Sequence, residues 1–314
     1  MKILDTHGSK IFSNWEQIRN KIYKVDIYDL ARWFYEDNTK EYYDYQKDFP
    51  CVVCPWPLAW FEFKTPKVSN NEGQLVTINK YDIYSGVLVE TLEIPEDQRD
   101  RIPHEIDPAL KLFPPATSIE SVVHVKLPRT PRWVSRIDAF FVDKESDTVF
   151  HVSTIVDYLD TTGKLMPEIR RVCAGDSLAR MFPDTVNQKD LVTDSVRVVH
   201  PVLFALSLCH CKGEVSFKEV KVPEKVAKKR VKAGKPPGET YSTLIIKSFQ
   251  DRMRGNKAEG ESSMDRAFHF VRAHFHTYTP EHPAFGKLVG SFFIPFHTRG
   301  KLEKGVRSHG YKIE

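Results

Sequence analysis

Arg272, His274 and His276 stand at alternate positions in the segment HFVRAHFHTY (269–278). Read as a β-strand, the segment turns all three side chains to one face, because strand side chains alternate with a period of two. Two imidazoles that titrate near neutrality and a permanent guanidinium are the parts of a metal-free phosphodiester-cleaving site. One histidine would serve as base and the other as acid, while Arg272 stabilises charge developing on phosphorus. His297, in the following strand-like run GSFFIPFHTRG (290–300), supplies a further imidazole if the hairpin register sets it opposite. His269 falls on the other face. An RNA target suits this chemistry, since its 2′-hydroxyl is an internal nucleophile.

The same row admits other readings. Histidines at i and i+2, joined by His297, have the donor set of a three-imidazole zinc site. Arg272 on that face would repel the cation, so no metal and no cofactor is expected. The row also suits recognition of phosphates without turnover, and it is compatible with an ordinary polar sheet face. A nuclease or other phosphodiester-acting hydrolase is therefore the enzyme class to consider, with the choice between catalysis and recognition left open.

Upstream lies the lysine-rich run KVAKKRVKAGK (225–235), closed by Pro236-Pro237-Gly238. Lys225, Lys228, Lys229, Arg230, Lys232 and Lys235, with Arg299 near the far end, are the candidate phosphate-backbone contacts. Charge is distributed unevenly along the chain. From Lys212 to Glu314 there are 21 Lys/Arg against 11 Asp/Glu, whereas residues 1–211 hold 25 against 31. A basic C-terminal part on an acidic body points to a polyanionic partner whose binding weakens with salt.

These residues need a scaffold, and the pattern of the chain is that of an α+β protein. Helical spacing follows Ser13 and Glu16, and again over Ile27–Tyr35. Strands are expected at Cys51–Lys64, at Leu75–Glu93 with a break near Ser85-Gly86, and at Ser121–Leu127. Trp133–Asp143 and Thr148–Asp157 flank the polar turn KESD as a hairpin. MPEIRRVCAGDSLARMF and residues 190–210 read as helices, the second kinked or split at Pro201. Tyr241–Phe249, Phe268–Tyr278 and Gly290–His297 complete the strands. The expected organisation is an acidic mixed α/β body with a mainly antiparallel sheet (1–211), a basic arm or linker (212–240) and a basic C-terminal β-unit (241–314).

Composition narrows the class. A 41% hydrophobic and 28% charged chain of 314 residues is that of a soluble globular protein with ample core. No apolar run is long enough to span a bilayer, and MKILDTHGSKIFSNW lacks the apolar centre of a signal peptide, so a cytoplasmic, membrane-free protein is expected. Five cysteines, an odd number, suit a reducing compartment. Cys51-x-x-Cys54 and Cys209-x-Cys211 read as buried free thiols rather than zinc ligands. Glu62, with Asp138 or Asp157, is a weaker alternative as a metal-dependent acidic site. Phosphate-loop, dinucleotide and nucleophile-elbow motifs are absent.

Several of these segments, LFALSLCHCK (203–212), KKRVKAGKPP (228–237), Tyr241/Leu244/Ile246, Arg272-Ala273-His274-Phe275-His276 and FFIPFHTRG (292–300), occur in an order that resembles a group of uncharacterised bacteriophage and prophage-type proteins. PWPLAWFEF (55–63) is similar to the aromatic strand of that group, which ends in an acid. The chain departs from the pattern at Ala273, where the group has glycine, and at His276, where it has a second basic residue. The resemblance implies phage origin, hence a host bacterial cytoplasm, and it implies architecture more than activity. Together these features lead to the expectation of a phage-type nucleic-acid-binding protein able to cleave RNA without metal at the Arg272/His274/His276 face. The competing expectation is a non-catalytic phage protein that binds and inhibits or redirects a host protein.

Overall fold

A computed structural model describes residues 2–37, 49–71, 74–99, 130–143, 147–166, 170–174, 188–234, 237–247, 267–271, 274–294, 297–299 and 301–306. The chain is α+β and divides into two units. The first comprises Met1–Cys209 and Phe217–Leu244, the second His210–Ser216 and Ile245–Glu314. Among the described residues no helix is long and apolar enough to cross a membrane.

The first unit is built on an eight-stranded mixed sheet, in the order β6-β5-β4-β3-β2-β1-β8-β7. Its centre is an antiparallel meander of β2 (Leu58–Asn71), β3 (Gln74–Glu93), β4 (Pro131–Asp143) and β5 (Thr148–Asp160). The expected hairpin around KESD is β4–β5, running from Asp143 opposite Thr148 to Pro131 opposite Asp160. β1 (Tyr23–Asp26) lies parallel to β2, with Asp26 in register with Glu62, and parallel to β8 (Tyr241–Ile246) on its other side. Val25 of this enclosed strand is fully buried, and Lys24 beside it is buried as well, its ammonium paired with Glu239 at 3.2 Å.

Helices cover both faces. α1 (Ile3–Ile11) and the single turn α2 (Trp15–Ile18) pack Ile3, Leu4, Phe12, Trp15 and Ile18 against Leu58, Trp60, Leu88 and Phe140 of the sheet. α3 (Tyr28–Asp37) and α4 (Gln188–Cys209) lie against strands of the same sheet. Pro201 sits inside α4 without splitting it, and residues 198–208 are buried. Helical spacing after Ser13 is realised only as the short α2, with no side-chain cap, while the longer helix precedes it.

Three expectations need revision. Arg171–Ala174, read as part of a helix, forms strand β6, because the open edge of β5 offers a ladder in which Val172 pairs with Ile155. β3 runs unbroken through Ser85-Gly86. The segment read as a basic arm or linker contains strand β7 (Val215–Val220), at the sheet edge, and helix α5 (Glu224–Lys232). The expected strand at Ser121–Leu127 lies outside the described residues.

The second unit holds β9 (Ala267–Val271), β10 (His274–Tyr278), β11 (Gly290–Ile294), β12 (His297–Arg299) and β13 (Lys301–Val306). β10 and β11 pair antiparallel, and β9 pairs with both β12 and β13.

Gly86 explains why β3 need not break where glycine suggests it. A Cβ built there would lie 2.0 Å from the Trp60 ring, which fills the space over the backbone. Trp60 is fully buried and cannot swing aside. Gly86→Ala is expected to destabilise the first unit by about 1–3 kcal/mol. Urea unfolding followed by tryptophan emission checks this, since all five tryptophans lie in that unit.

Candidate functional site

The histidine row is present in the second unit. On β10, His274 and His276 are both exposed and share a face, opposite Ile294 and Phe292 of β11. The His276 and Tyr278 rings lie 4.3 Å apart, and Tyr278 meets Phe292 edge-on at 5.8 Å. Arg272 lies outside the described residues. His297 is in register with Val271 and Arg299 with His269. The hairpin register therefore does not set His297 opposite either histidine, because odd positions pair with odd and even with even along this ladder.

The lysine-rich run has a definite geometry. Of the α5 side chains, only Ala227 and Arg230 are half-buried; the others are exposed. Arg230 donates to the backbone oxygen of Asp5 at 2.9 Å, and the Asp5 carboxylate accepts the backbone N–H of Glu239. These contacts fix which side of α5 faces the body. Lys225, Lys228, Lys229 and Lys232, spaced i, i+3, i+4, i+7, then form one stripe on the solvent side. Lys228 reaches Glu224 at 2.6 Å, an exposed pair of little energetic weight. Arg230 is thus an anchor, and Lys235 lies outside the described residues.

Glu62 has surroundings that its position in the sequence does not announce. It is 4% exposed. Its Oε1 accepts the backbone N–H of Ile3 at 2.9 Å, and its Oε2 accepts the Tyr241 hydroxyl at 2.9 Å and the Trp60 indole N–H at 3.4 Å. The Ile3 N–H opens α1, so a β2 side chain caps that helix from a distance. Burial pushes the Glu62 carboxyl up to about 7, although the nearby Lys2 ammonium and these hydrogen bonds act in the other direction. Lys2 is ion-paired with Asp26 and stands 4.5 Å over the Tyr241 ring.

Around this group is an open pocket of about 260 Å³ lined by Lys2, Asp26, Tyr28, Glu62, Phe63, Lys64 and Tyr84. The Lys64 ammonium lies over the rings of both Tyr28 (5.2 Å) and Tyr84 (5.4 Å). Asp26 and Lys64 escape a sequence reading because the parallel pairing of β1 with β2 joins segments 36 positions apart. The alternation Trp60, Glu62, Lys64 was the available signal that these side chains share a face.

Asp138 and Asp157 do not join Glu62. Asp138 lies two strands away and is held by Arg136 (2.9 Å), Thr154 and His151 (3.4 Å). Burial opposes its ionisation, but the His151 hydrogen bond and the Arg136 charge keep it below the usual carboxylate range. Asp157 is engaged by Arg170 in a bidentate pair. Among the described residues no group of three or more His, Cys, Asp or Glu side chains is placed to hold a metal. Cys51, Cys54, Cys209 and Cys211 are free thiols, and burial raises Cys54 and Cys209 to about 12. Comparison with protein-family models, curated proteins and solved structures finds no match.

The Glu62 carboxyl carries a pH signature. Between about 4.5 and 7 the unfolded chain ionises this group while the folded chain keeps it protonated. Its contribution therefore falls as pH rises through that window and is level above it. His200, lowered to about 4 by burial and by Arg170, acts in the opposite sense from about 4 to 6.5. Glu62→Gln removes only the first effect. Relative to the parent, its unfolding free energy should improve by roughly 2–4 kcal/mol from pH 5 to 7.5. Urea titrations of both proteins at the two pH values measure this, and an unchanged difference would count against a buried acid at Glu62.

Proposed function

We propose that this chain binds the phosphate backbone of nucleic acid through α5. The observation that supports this reading is a helix that buries almost nothing and places four lysines on one outward stripe. A helix contributing so little to a core has its sequence free for surface contact. From Lys225 to Lys232 the stripe extends about 10 Å along the axis, a length over which duplex DNA carries roughly six charges. Lysines in this arrangement give affinity and orientation without sequence preference. The phage-type resemblance suggests a bacterial cytoplasm as the setting.

RNA cleavage at His274 and His276 is a second part of the proposal, favoured by their exposure side by side on β10. The imidazoles would have to act with a group other than His297, whose register partner is Val271.

Replacing Lys225, Lys228, Lys229 and Lys232 with alanine tests the binding reading. Fluorescence anisotropy with labelled duplex and single-stranded oligonucleotides, between 50 and 200 mM salt, should show weakened binding. The slope of log affinity against log salt should fall by about 3–4. Equal affinities and slopes in parent and variant would refute α5 as the contact. The same mixtures run on a denaturing gel with EDTA report cleavage, which His274→Ala and His276→Ala should each abolish while leaving duplex binding in place.

A further inference from the structure

The β10–β11 hairpin has two unlike faces. On one, Phe275 and Phe293 meet across the strands at 5.3 Å, and Phe293 is buried. The other carries His274, His276 and Tyr278 opposite Ile294, Phe292 and Gly290. Further along the Phe275 face the Thr277 and Ser291 hydroxyls bond to each other at 2.9 Å in the open. The other face is a row of rings, His276 against Tyr278 and Tyr278 against Phe292, with His276 exposed and the other two half-buried.

A cation stands at the end of this row. The Lys212 backbone N–H donates to the Ser291 oxygen at 3.0 Å, which sets its side chain along β11. A Cβ built on Gly290, the partner of Tyr278, would lie 2.8 Å from Lys212 Cε and 3.4 Å from its Nζ. The Lys212 stem therefore occupies the place of the missing side chain at the position opposite Tyr278 in the ladder.

The loop that closes the hairpin adds a further ring. Ala284 and Leu288 exchange both backbone hydrogen bonds, at 2.8 and 2.9 Å, and pin the turn Phe285-Gly286-Lys287. Phe285 has φ +51 and is 94% exposed. Glycine adopts this conformation readily, whereas a bulky residue there is strained. A well-fastened turn thus holds an aromatic residue outward in a backbone state that disfavours it, the type of outlier that clusters at ligand contacts. The unit as a whole has 13 Lys/Arg and 8 Asp/Glu.

We propose that this hairpin is a single-stranded nucleic-acid site, with bases stacking on His276, Tyr278, Phe292 and Phe285 and phosphates meeting Lys212 and Lys287. Unpaired bases are the ligand whose flat faces fit a row of rings that reaches solvent, and a net positive unit suits their backbone. Paired bases keep those faces stacked on one another. The site stands on residues of the second unit alone, so it is independent of the α5 reading, which makes no distinction between strand forms.

The test uses the full-length protein, labelled 12-nucleotide oligo-U and oligo-dT, and a 12-base-pair duplex at one salt concentration. The parent should bind the single strands at least tenfold more tightly than the duplex. Phe285→Gly should weaken single-strand binding about tenfold, leave duplex binding unchanged, and raise the melting temperature by about 2–4 °C as strain is relieved. Tyr278→Leu should do the same to binding, with its fold checked by the same melt. A 2-aminopurine placed in the single strand should be quenched by the parent and less so by either variant. The four-lysine α5 variant separates the two proposals: it should weaken duplex binding while the hairpin still holds the single strands, so the preference for single strands rises. Equal affinity for single strand and duplex in the parent would overturn the hairpin site. So would single-strand affinity unchanged in both aromatic variants. Binding of anionic lipid vesicles in preference to either oligonucleotide would assign the exposed rings to a membrane surface instead.

Discussion

A carboxyl group in the interior must be satisfied by the protein, and the first unit is organised around satisfying Glu62. Its two oxygens draw in the first N–H of α1, the Tyr241 hydroxyl of β8 and the Trp60 indole of β2. Oε1 depends on the Ile3 N–H, and without Tyr241 Oε2 would keep only the longer Trp60 contact; a buried polar atom left without a partner costs far more than one hydrogen bond contributes. The group therefore fixes where α1 begins and how β8 is set beside β1. The other end of α1 is tied down by Asp147, which accepts from His7 at 2.8 Å and from Lys10 at 2.6 Å. Asp147 has φ +53 at the β4–β5 turn, so the hairpin tip and the helix are positioned by one residue.

The sheet interior shows the same economy of pairing. Asp138 with Arg136, and Asp157 with Arg170, are the carboxylates considered with Glu62 as a weaker, metal-dependent alternative. Each has instead been neutralised by a guanidinium at hydrogen-bond distance, which makes it a poor ligand for a second cation. The lysines of α5 are the opposite case, because they face solvent, with Glu224 the carboxylate paired to Lys228 among the described residues. Buried charge in this molecule serves the fold, and exposed charge is what remains for a partner.

What could be read in the sequence follows from how local its cause is. The β4–β5 hairpin was legible because alternating residues flank a four-residue polar turn. Helix α4 was legible because its C-terminal half is apolar on all sides. α1 was not, since ILDTHGSKI has few apolar positions and its cap comes from residue 62. β7 and α5 were missed because residues that bury nothing leave no apolar periodicity, although the lysines of α5 do recur at i, i+3, i+4 and i+7. β6 was taken for helix because a four-residue edge strand borrows its conformation from the neighbour it pairs with. At the candidate sites, the shared face of His274 and His276 needed only strand alternation, whereas the partner of His297 depended on register. The pocket of Asp26, Glu62 and Lys64 depended on a parallel pairing that no local pattern encodes.

The enclosure of β1 between β2 and β8 sets an order of events in time. Glu62 and Tyr241, joined by a hydrogen bond, are 179 positions apart. On a ribosome adding about 5–20 residues per second, roughly 9–36 s separate the synthesis of the two. Throughout that interval β1 has an open edge, and Glu62 lacks the hydroxyl that completes its shell. Contacts so distant along the chain slow folding as well. In a nascent chain the β8-facing edge of β1 accordingly stays unpaired until residue 241 has been made.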